Sequence, residues 1–600
     1  MTISAPRWDL TNVYPSLESK EFQSAIKKYK KLLNELETFV AEKVTRTNAK
    51  TDAKKLGKLL GESVDRFNQI ETLAGTLGAY ISSFVTTDSR NQTAARLLSE
   101  FEQINARQAK AVTQFRAWIG ALGSKLDKAI ETNASANTHA FTLKETRDQA
   151  KYMMSEPEEV LAAELTLSGG RAFGKLQGKV TSQLSVDFEL DGQTQKLPMP
   201  ALINLRSHPD EDTRRRAYEA ENRAWEGVKE TLAACLNAVK GETNVLFKKR
   251  GRKDALHFAV DAARMDRKTL DAMLSAMKDS FPMFRRYFQA KAKKLGKEKL
   301  AWWDLFAPIG RTDKVYSFDD ARNFILDNFG RFSPELRGLA DTAFSNNWID
   351  AEQRDGKRGG AFCMSVAGVK ESRILSNFDG SFDQVSTLAH ELGHAFHNYC
   401  AFKAGKTELQ RDNPMTLAET ASIMCETIAT EAVLSQTTDP QEQLAVLEAQ
   451  LNNASQIIVD IYSRFLFEKE LLERRAQAEL STDEINEIME RAQKETYGDG
   501  LDERYLQKFM WTWKPHYYSA GFPYYNFPYA FGLLFGTGLY AIYQQRGADF
   551  VPDYMNLLAT TGEDTAAKLA KRFGIDITKR KFWDDSIAII GKRADRYAEL

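Results

Sequence analysis

The stretch from Ser381 to Tyr399, SFDQVSTLAHELGHAFHNY, constrains this chain more than any other. It holds His390-Glu391-Leu392-Gly393-His394, an H-E-x-x-H pattern. Residues four apart on an α-helix differ in direction by about 40°, so both imidazoles can reach one metal ion. Glu391 beside them is placed to hold and deprotonate a water molecule activated by that ion. The pattern needs a helix, and the flanking residues supply one. Ser381 and Gln384 read as an S-x-x-Q capping box at its start. Val385, Leu388, Ala389, Leu392, Ala395, Phe396 and Tyr399 recur at helical spacing as a buried stripe. Gly393 costs a helix about 1 kcal/mol against alanine, which predicts close approach of another backbone. The chain has only seven histidines in 600 residues, and three of them fall between His390 and His397. His397 reads as a hydrogen-bonding neighbour, because three protein ligands plus water already complete a catalytic zinc.

The third ligand has to come from outside that helix. Met415 to Leu434, MTLAETASIMCETIATEAVL, reads as a second amphipathic helix. It carries Glu419 and Glu426 on one face, among Leu417, Ala418, Ile423, Met424 and Ile428. A carboxylate in such apolar surroundings needs a partner or a metal. Glu419 is the candidate ligand. Glu426 reads either as an acceptor that orients a histidine or as a solvated surface glutamate.

The rest of the chain narrows the class. Lys+Arg and Asp+Glu balance at 82 each, so no bulk charge points to nucleic acid or to an acidic membrane as partner. Tyr529 to Tyr543 is the longest apolar stretch, too short and too glycine-broken to span a bilayer; it reads as a buried core helix. The opening MTISAPRWDLTNVYP lacks the basic and then apolar regions of a signal peptide. Four cysteines (235, 363, 400 and 425) are too few and too scattered for a disulfide framework. These features point to the cytoplasm. Cys363 falls in a strand next to the metal helix and Cys425 beside Glu426, where inert buried thiols are expected.

Residues 1 to about 180 read as helix after helix: Lys20–Lys43, Lys54–Phe84 and Asn91–Leu122 all show long amphipathic runs. The period then switches. Leu184, Val186, Phe188 and Leu190 alternate with polar residues, Asp191-Gly192 follows, and a second run reaches Leu197, which predicts a hairpin. Asp266 is expected to cap a helix, and Ser317–Asp320 to form a capping box. Two short strands, near Ala361–Val366 and Arg373–Phe378, are expected directly before the metal helix, reading equally as an edge on which an extended peptide can pair and as a small structural hairpin. The expected organisation is an N-terminal helical lobe ending in the hairpin over residues 1–200, and a catalytic domain over 201–600.

These residues together resemble a known family. HELGHAFH with LAETAS around Glu419 is similar to the metal site of oligoendopeptidase F and, more distantly, of thimet oligopeptidase-like zinc metallopeptidases. The family's glutamate ligand lies 25 residues past the second histidine, and His394 plus 25 is Glu419. WDLTNVYP near the start and LATTGEDTAAKLAKRFGIDITKRKFWDD near the end resemble the same family, so the likeness runs along essentially the whole chain. It implies a mainly α, two-lobed helical metallopeptidase with a small β-sheet beside the HExxH helix. It implies one zinc ion per chain, short peptides as substrates and cleavage at internal bonds; a monomer is expected, though nothing in the sequence fixes the oligomeric state. It also implies a late loop whose histidine and tyrosines contact the substrate carbonyl. In HYYSAGFPYYNFPYAFG that histidine is His516, and Tyr525 and Tyr529 match the tyrosines best, with Tyr524 a further candidate because the spacing is about two residues longer. The competing readings are a zinc exopeptidase and a peptide-binding protein with a closed structural metal. Glu391 argues against the second, since a purely structural site needs no base.

Overall fold

The computed structural model describes residues 5–311 and 314–600; Met1 to Ser4 of the N-terminal stretch read above lie outside it. Among the described residues the chain is helical, with two small sheets. It divides into two compact units, each assembled from three segments. The first comprises residues 1–152, 314–433 and 542–574, and the second 153–313, 434–541 and 575–600. Compactness thus does not follow a cut at residue 200: residues 153–200 belong to the second unit, and the HExxH helix shares its unit with the first 152 residues.

In the first unit the amphipathic runs become the helices Lys20–Phe39 and Ala53–Thr87. Their apolar faces close over a core that includes Phe22, Tyr29, Leu33, Leu60, Leu77 and Tyr80. The expected continuous run Asn91–Leu122 is broken at Arg107 into the helices Gln92–Ala106 and Gln108–Leu122. Amphipathic periodicity continues across a joint when both pieces bury the same face, so the break leaves little trace in the pattern.

Strands β1 (Ser185–Leu190) and β2 (Gln193–Pro198) form the expected hairpin in the second unit. Asp191 and Gly192 both adopt positive φ, 52° and 73°, as a two-residue hairpin turn requires. The other sheet, in the first unit, orders β3 (Ile349–Asp350), β5 (Glu371–Leu375) and β4 (Phe362–Val366), with β5 in the middle. β4 pairs antiparallel and β3 parallel to β5. The two strands expected before the metal helix are there, the second beginning two residues earlier and ending three earlier than read. β3 has only two residues and carries no readable alternation. It is held by a buried ion pair: Lys357 Nζ meets Asp350 Oδ1 at 2.8 Å and donates to the carbonyl of Ser376 at 2.6 Å.

The metal-motif helix runs Phe382–Lys403. Ser381 caps it by accepting from the Gln384 N–H at 3.3 Å. The reciprocal half of the expected capping box is not made. The Ser381 N–H donates to Asp379 Oδ1 at 2.8 Å, and the Gln384 side chain turns to the Ser376 hydroxyl. The caps at Asp266 and at Ser317–Asp320 form as expected. Val385, Leu388, Ala389, Leu392, Ala395 and Phe396 are all buried, and the helix Val551–Ala559 packs along the same element. The apolar stretch from Tyr529 lies in the buried helix Phe527–Arg546, and no described helix is long and apolar enough to cross a membrane.

Candidate metal centre

Met415–Leu434 is not one helix. A single turn, Met415–Ala418, ends at Glu419, and a new helix runs Thr420–Gln436. Glu419 sits at this break with φ −87° and ψ 6°. Its carbonyl accepts the Ile423 N–H at 3.1 Å, and its Oε2 accepts the Ser422 hydroxyl at 2.6 Å. The backbone just past it crosses the metal helix at Gly393. A Cβ on Gly393 would stand 2.6 Å from the Ala421 carbonyl oxygen and 2.6 Å from the Ser422 Cα. The close approach expected from Gly393 is therefore made by the very segment that carries Glu419.

That crossing brings the candidate ligands together. Glu419 Oε2 lies 3.2 Å from His390 Nε2 and 3.4 Å from His394 Nε2. The three donors lie within 4.8 Å of one another, the one such group of His, Cys, Asp and Glu among the described residues. Zinc bonds of about 2.0–2.2 Å in a tetrahedron separate neighbouring ligand atoms by roughly 3.3–3.6 Å, and the two distances from Glu419, 3.2 and 3.4 Å, come close to that spacing. Two imidazoles and one carboxylate are the right donor chemistry for that ion.

The surroundings prepare each donor. His390 Nδ1 meets Glu426 Oε2 at 3.1 Å, which holds the proton on Nδ1 and turns Nε2 towards Glu419. Of the two readings of Glu426, the orienting acceptor matches this geometry. Burial disfavours charge on His390, but hydrogen bonds to Glu419 and Glu426 outweigh it and raise its pKa to about 10. Glu419 is held down at about 2, burial being overcome by His390 and His394. Burial lowers His394 to about 4, so it presents a neutral nitrogen, and it is hydrogen-bonded to the backbone of Ala418. His397 is buried, with Nε2 2.8 Å from the Thr561 hydroxyl, and is not among the three convergent donors.

Glu391 is 6 % exposed, and its Oε2 is buried without a hydrogen-bond partner. Burial raises its carboxyl to about 7, with His390 opposing. A cavity of about 430 Å³ opens over the group, walled by β4 residues Phe362, Cys363 and Ser365 and by Asn398, Arg411 and Asn413. Nothing in the sequence reading singled out the last three. Arg411 stacks on Phe402 at 4.0 Å, pairs with Glu408 and donates to Ser365 Oγ at 3.2 Å, so it ties β4 to the loop before Glu419. Burial pushes the Cys363 and Cys425 thiols well up; Cys425 is buried, whereas Cys363 is partly exposed at the cavity wall.

His516 and the tyrosines belong to the second unit. Burial, with Arg464, Lys514 and Lys240 nearby, lowers His516 to about 3. Its ring stacks against Tyr525 at 5.7 Å and 22°, and the Tyr525 and Tyr529 hydroxyls meet at 2.9 Å. Tyr524 has positive φ, 55°, is 6 % exposed, and donates its N–H to Glu468 Oε2 at 3.0 Å. It serves the packing of the loop, whereas Tyr529 is 37 % exposed. Asn526, which the sequence reading passed over, lies with Nδ2 2.8 Å from His516 Nε2.

The family model described as "Peptidase family M3" matches residues 204–329 and 334–589, well over half of the chain. A second model, described as "Oligopeptidase F", matches residues 123–185. Oligopeptidase PepF of Bacillus subtilis is 21% identical over 99% of this chain and 87% of its own length. An oligoendopeptidase F homolog of Borreliella burgdorferi is 21% identical over 99% of this chain and 98% of its own. Among solved structures, oligoendopeptidase-F from Enterococcus faecium superposes with a TM-score of 0.71 at 19% identity, covering 96% of this chain and 98% of its own. A structure from Chlamydophila abortus, described as a peptidase, reaches 0.85 at 18% identity, covering 99% and 98%. At these identities the structural likeness speaks for the fold, which is that of the helical two-lobed metallopeptidases.

Proposed function

The chain belongs to peptidase family M3, and from that membership we propose that it is a zinc-dependent oligoendopeptidase, hydrolysing internal bonds of short peptides with Glu391 as general base. The observation that carries this reading is the convergence of His390, His394 and Glu419 beside a buried Glu391 whose Oε2 has no partner. The oligoendopeptidase names of the relatives support the substrate class.

His390, His394 and Glu419 would hold the zinc, with Glu426 and the Ala418 backbone fixing the two imidazoles. Bound there, zinc supplies Lewis acidity towards a carbonyl and makes a nearby water more acidic. Glu391 takes the proton of the attacking water on its free Oε2 and delivers it to the leaving amine. An extended substrate adds to β4, whose one sheet partner is β5 and whose residues wall the cavity. His516, with Tyr529 or Tyr525, donates hydrogen bonds to the oxyanion, each such donor being worth about 10²–10³ in kcat. The reading includes a cytoplasmic monomer acting on peptides; the balanced charge offers no bulk attraction to nucleic acid or to an acidic membrane.

The test is mass spectrometry of products from a mixed library of short, end-blocked peptides, with wild type, Glu391→Gln and Glu419→Ala compared and zinc content measured for each. Internal cuts by wild type are expected. Glu391→Gln should keep its zinc and lose the cuts; Glu419→Ala should lose both. Cuts at the wild-type rate by a zinc-loaded Glu391→Gln would remove the general base. Full zinc affinity in Glu419→Ala would remove the third ligand.

A further inference from the structure

We propose that Asn526 is a positioning residue for His516: its side-chain amide donates to Nε2 and fixes the ring proton on Nδ1, so that Nδ1–H is the donor His516 offers to a peptide carbonyl. This rests on the reading that His516 donates a hydrogen bond to the substrate. His516 lies in a buried cationic neighbourhood made by Arg464, Lys514 and Lys240, which disfavours a second proton on the ring. Two of these groups are paired cations, with Lys240 Nζ 2.6 Å from Glu468 Oε1 and Arg464 bound to Asp460, whereas burial lowers Lys514, whose Nζ lies 3.9 Å from the centre of the Trp513 ring, to about 7. A neutral imidazole carries one N–H, and its partner decides which nitrogen has it.

The ring has little freedom to choose otherwise. Tyr517 packs on it at 4.4 Å between ring centres, and Tyr525 stacks at 5.7 Å with the planes 22° apart. Against the stacked Tyr525 and the tilted Tyr517, the turn of the ring is set by the bond at Nε2, where Asn526 Nδ2 stands at 2.8 Å. Asn526 is 8 % exposed and immediately precedes the helix Phe527–Arg546, its carbonyl accepting the Tyr529 N–H at 3.1 Å. The start of that helix therefore places the amide. Only one orientation of the amide leaves His516 useful. With the nitrogen towards the ring, Nε2 is an acceptor and Nδ1–H is free to donate. With the oxygen towards the ring, Nε2–H is consumed and Nδ1 can only accept, which an oxyanion cannot use. A donor role for His516 thus requires the orientation seen, and the same two residues carry a tautomer that no sequence motif specifies.

The test uses the full chain labelled with ¹⁵N-histidine. His516→Gln assigns the His516 signals among the seven histidines. In wild type, a pyrrole-like shift is expected for Nδ1 and a pyridine-like shift for Nε2. In Asn526→Asp the new carboxylate only accepts, so the proton should move to Nε2, and kcat should fall about 10²-fold with KM changed far less. An Nε2–H tautomer in wild type overturns the proposal without any variant, so poor folding of Asn526→Asp does not shelter it. Wild-type kcat in Asn526→Asp with its tautomer reversed overturns it as well. The underlying reading fails separately: His516→Gln turning over at the wild-type rate removes His516 from the reaction, whereas an impaired His516→Gln beside a wild-type Nε2–H tautomer removes only the role given to Asn526.

Discussion

Gly393→Ala is the most informative single substitution in this protein. The added Cβ would stand 2.6 Å from both the Ala421 carbonyl oxygen and the Ser422 Cα, where ordinary contact begins at 3.4 Å. Both obstacles are backbone, so no side chain can rotate away. The Thr420–Gln436 helix and the metal helix must separate by about 0.8 Å, the difference between those distances. Overpacking of this kind costs about 1–3 kcal/mol, while alanine returns about 1 kcal/mol of helix propensity. The net loss of stability is therefore small, roughly 0–2 kcal/mol, and far short of unfolding the chain. The metal site is less forgiving. Glu419 lies two residues before Ala421, and zinc bonds of about 2.0–2.2 Å do not stretch by 0.8 Å. Zinc affinity should fall at least 10–100-fold, the loss that removing an orienting neighbour typically causes. A competition titration against a fluorescent chelator, run beside a thermal melt of the metal-free protein, reads both quantities. Wild-type zinc affinity together with an unchanged or higher melting temperature would show that the crossing at Gly393 does not set the ligand spacing.

Glu426→Ala removes the acceptor on His390 Nδ1 and should weaken zinc binding about 10–100-fold in the same titration, with the melting temperature of the metal-free protein nearly unchanged. His516 is held at about 3 in the folded protein against about 6.5 when unfolded, so below pH 6.5 the unfolded chain binds the extra proton and stability falls as pH drops towards 3. The stability advantage of wild type over His516→Gln in urea should accordingly shrink by about 1–2 kcal/mol between pH 6.5 and 5; a constant difference would refute the neutral ring. Lys240→Met strands the buried Glu468 carboxylate and should cost about 3–5 kcal/mol by urea denaturation. Adding Glu468→Gln, which can still accept the Tyr524 N–H, should recover part of that loss; no recovery would mean the stranded charge is not the cause.

Much of the first unit's site was legible because its chemistry and its period coincide. His390 and His394 need a helix, and Val385, Leu388 and Leu392 supply its buried stripe. The penalty at Gly393 announced a crossing backbone, and the crossing is there. Glu419 was found by its carboxylate among apolar neighbours, but the helix break that carries it was not, because LAETAS has no Pro or Gly to punctuate it. β3 escaped for a similar reason, since two residues cannot show alternation and their pairing with β5 depends on a distant lysine. Asn526 escaped because an asparagine in a loop ordinarily signals a turn, and its partner His516 lies ten residues away. Periodicity reports which face is buried; it does not report side-chain bonds between segments that meet only in the folded chain.

The three-segment build of each unit has a consequence for biosynthesis. The first unit takes residues 1–152, then 314–433, and is completed only by 542–574. That last segment supplies Thr561, the hydroxyl that holds His397. At about 5–20 residues per second, on the order of 20–80 s separate the first segment's emergence from that of the last. Through that interval the first unit lacks its last segment, so it cannot close as a unit until synthesis is nearly finished. For the same reason a chain cut anywhere between residues 153 and 573 yields neither unit entire, and ribosome pausing between residues 433 and 542 should raise aggregation more than pausing before residue 152.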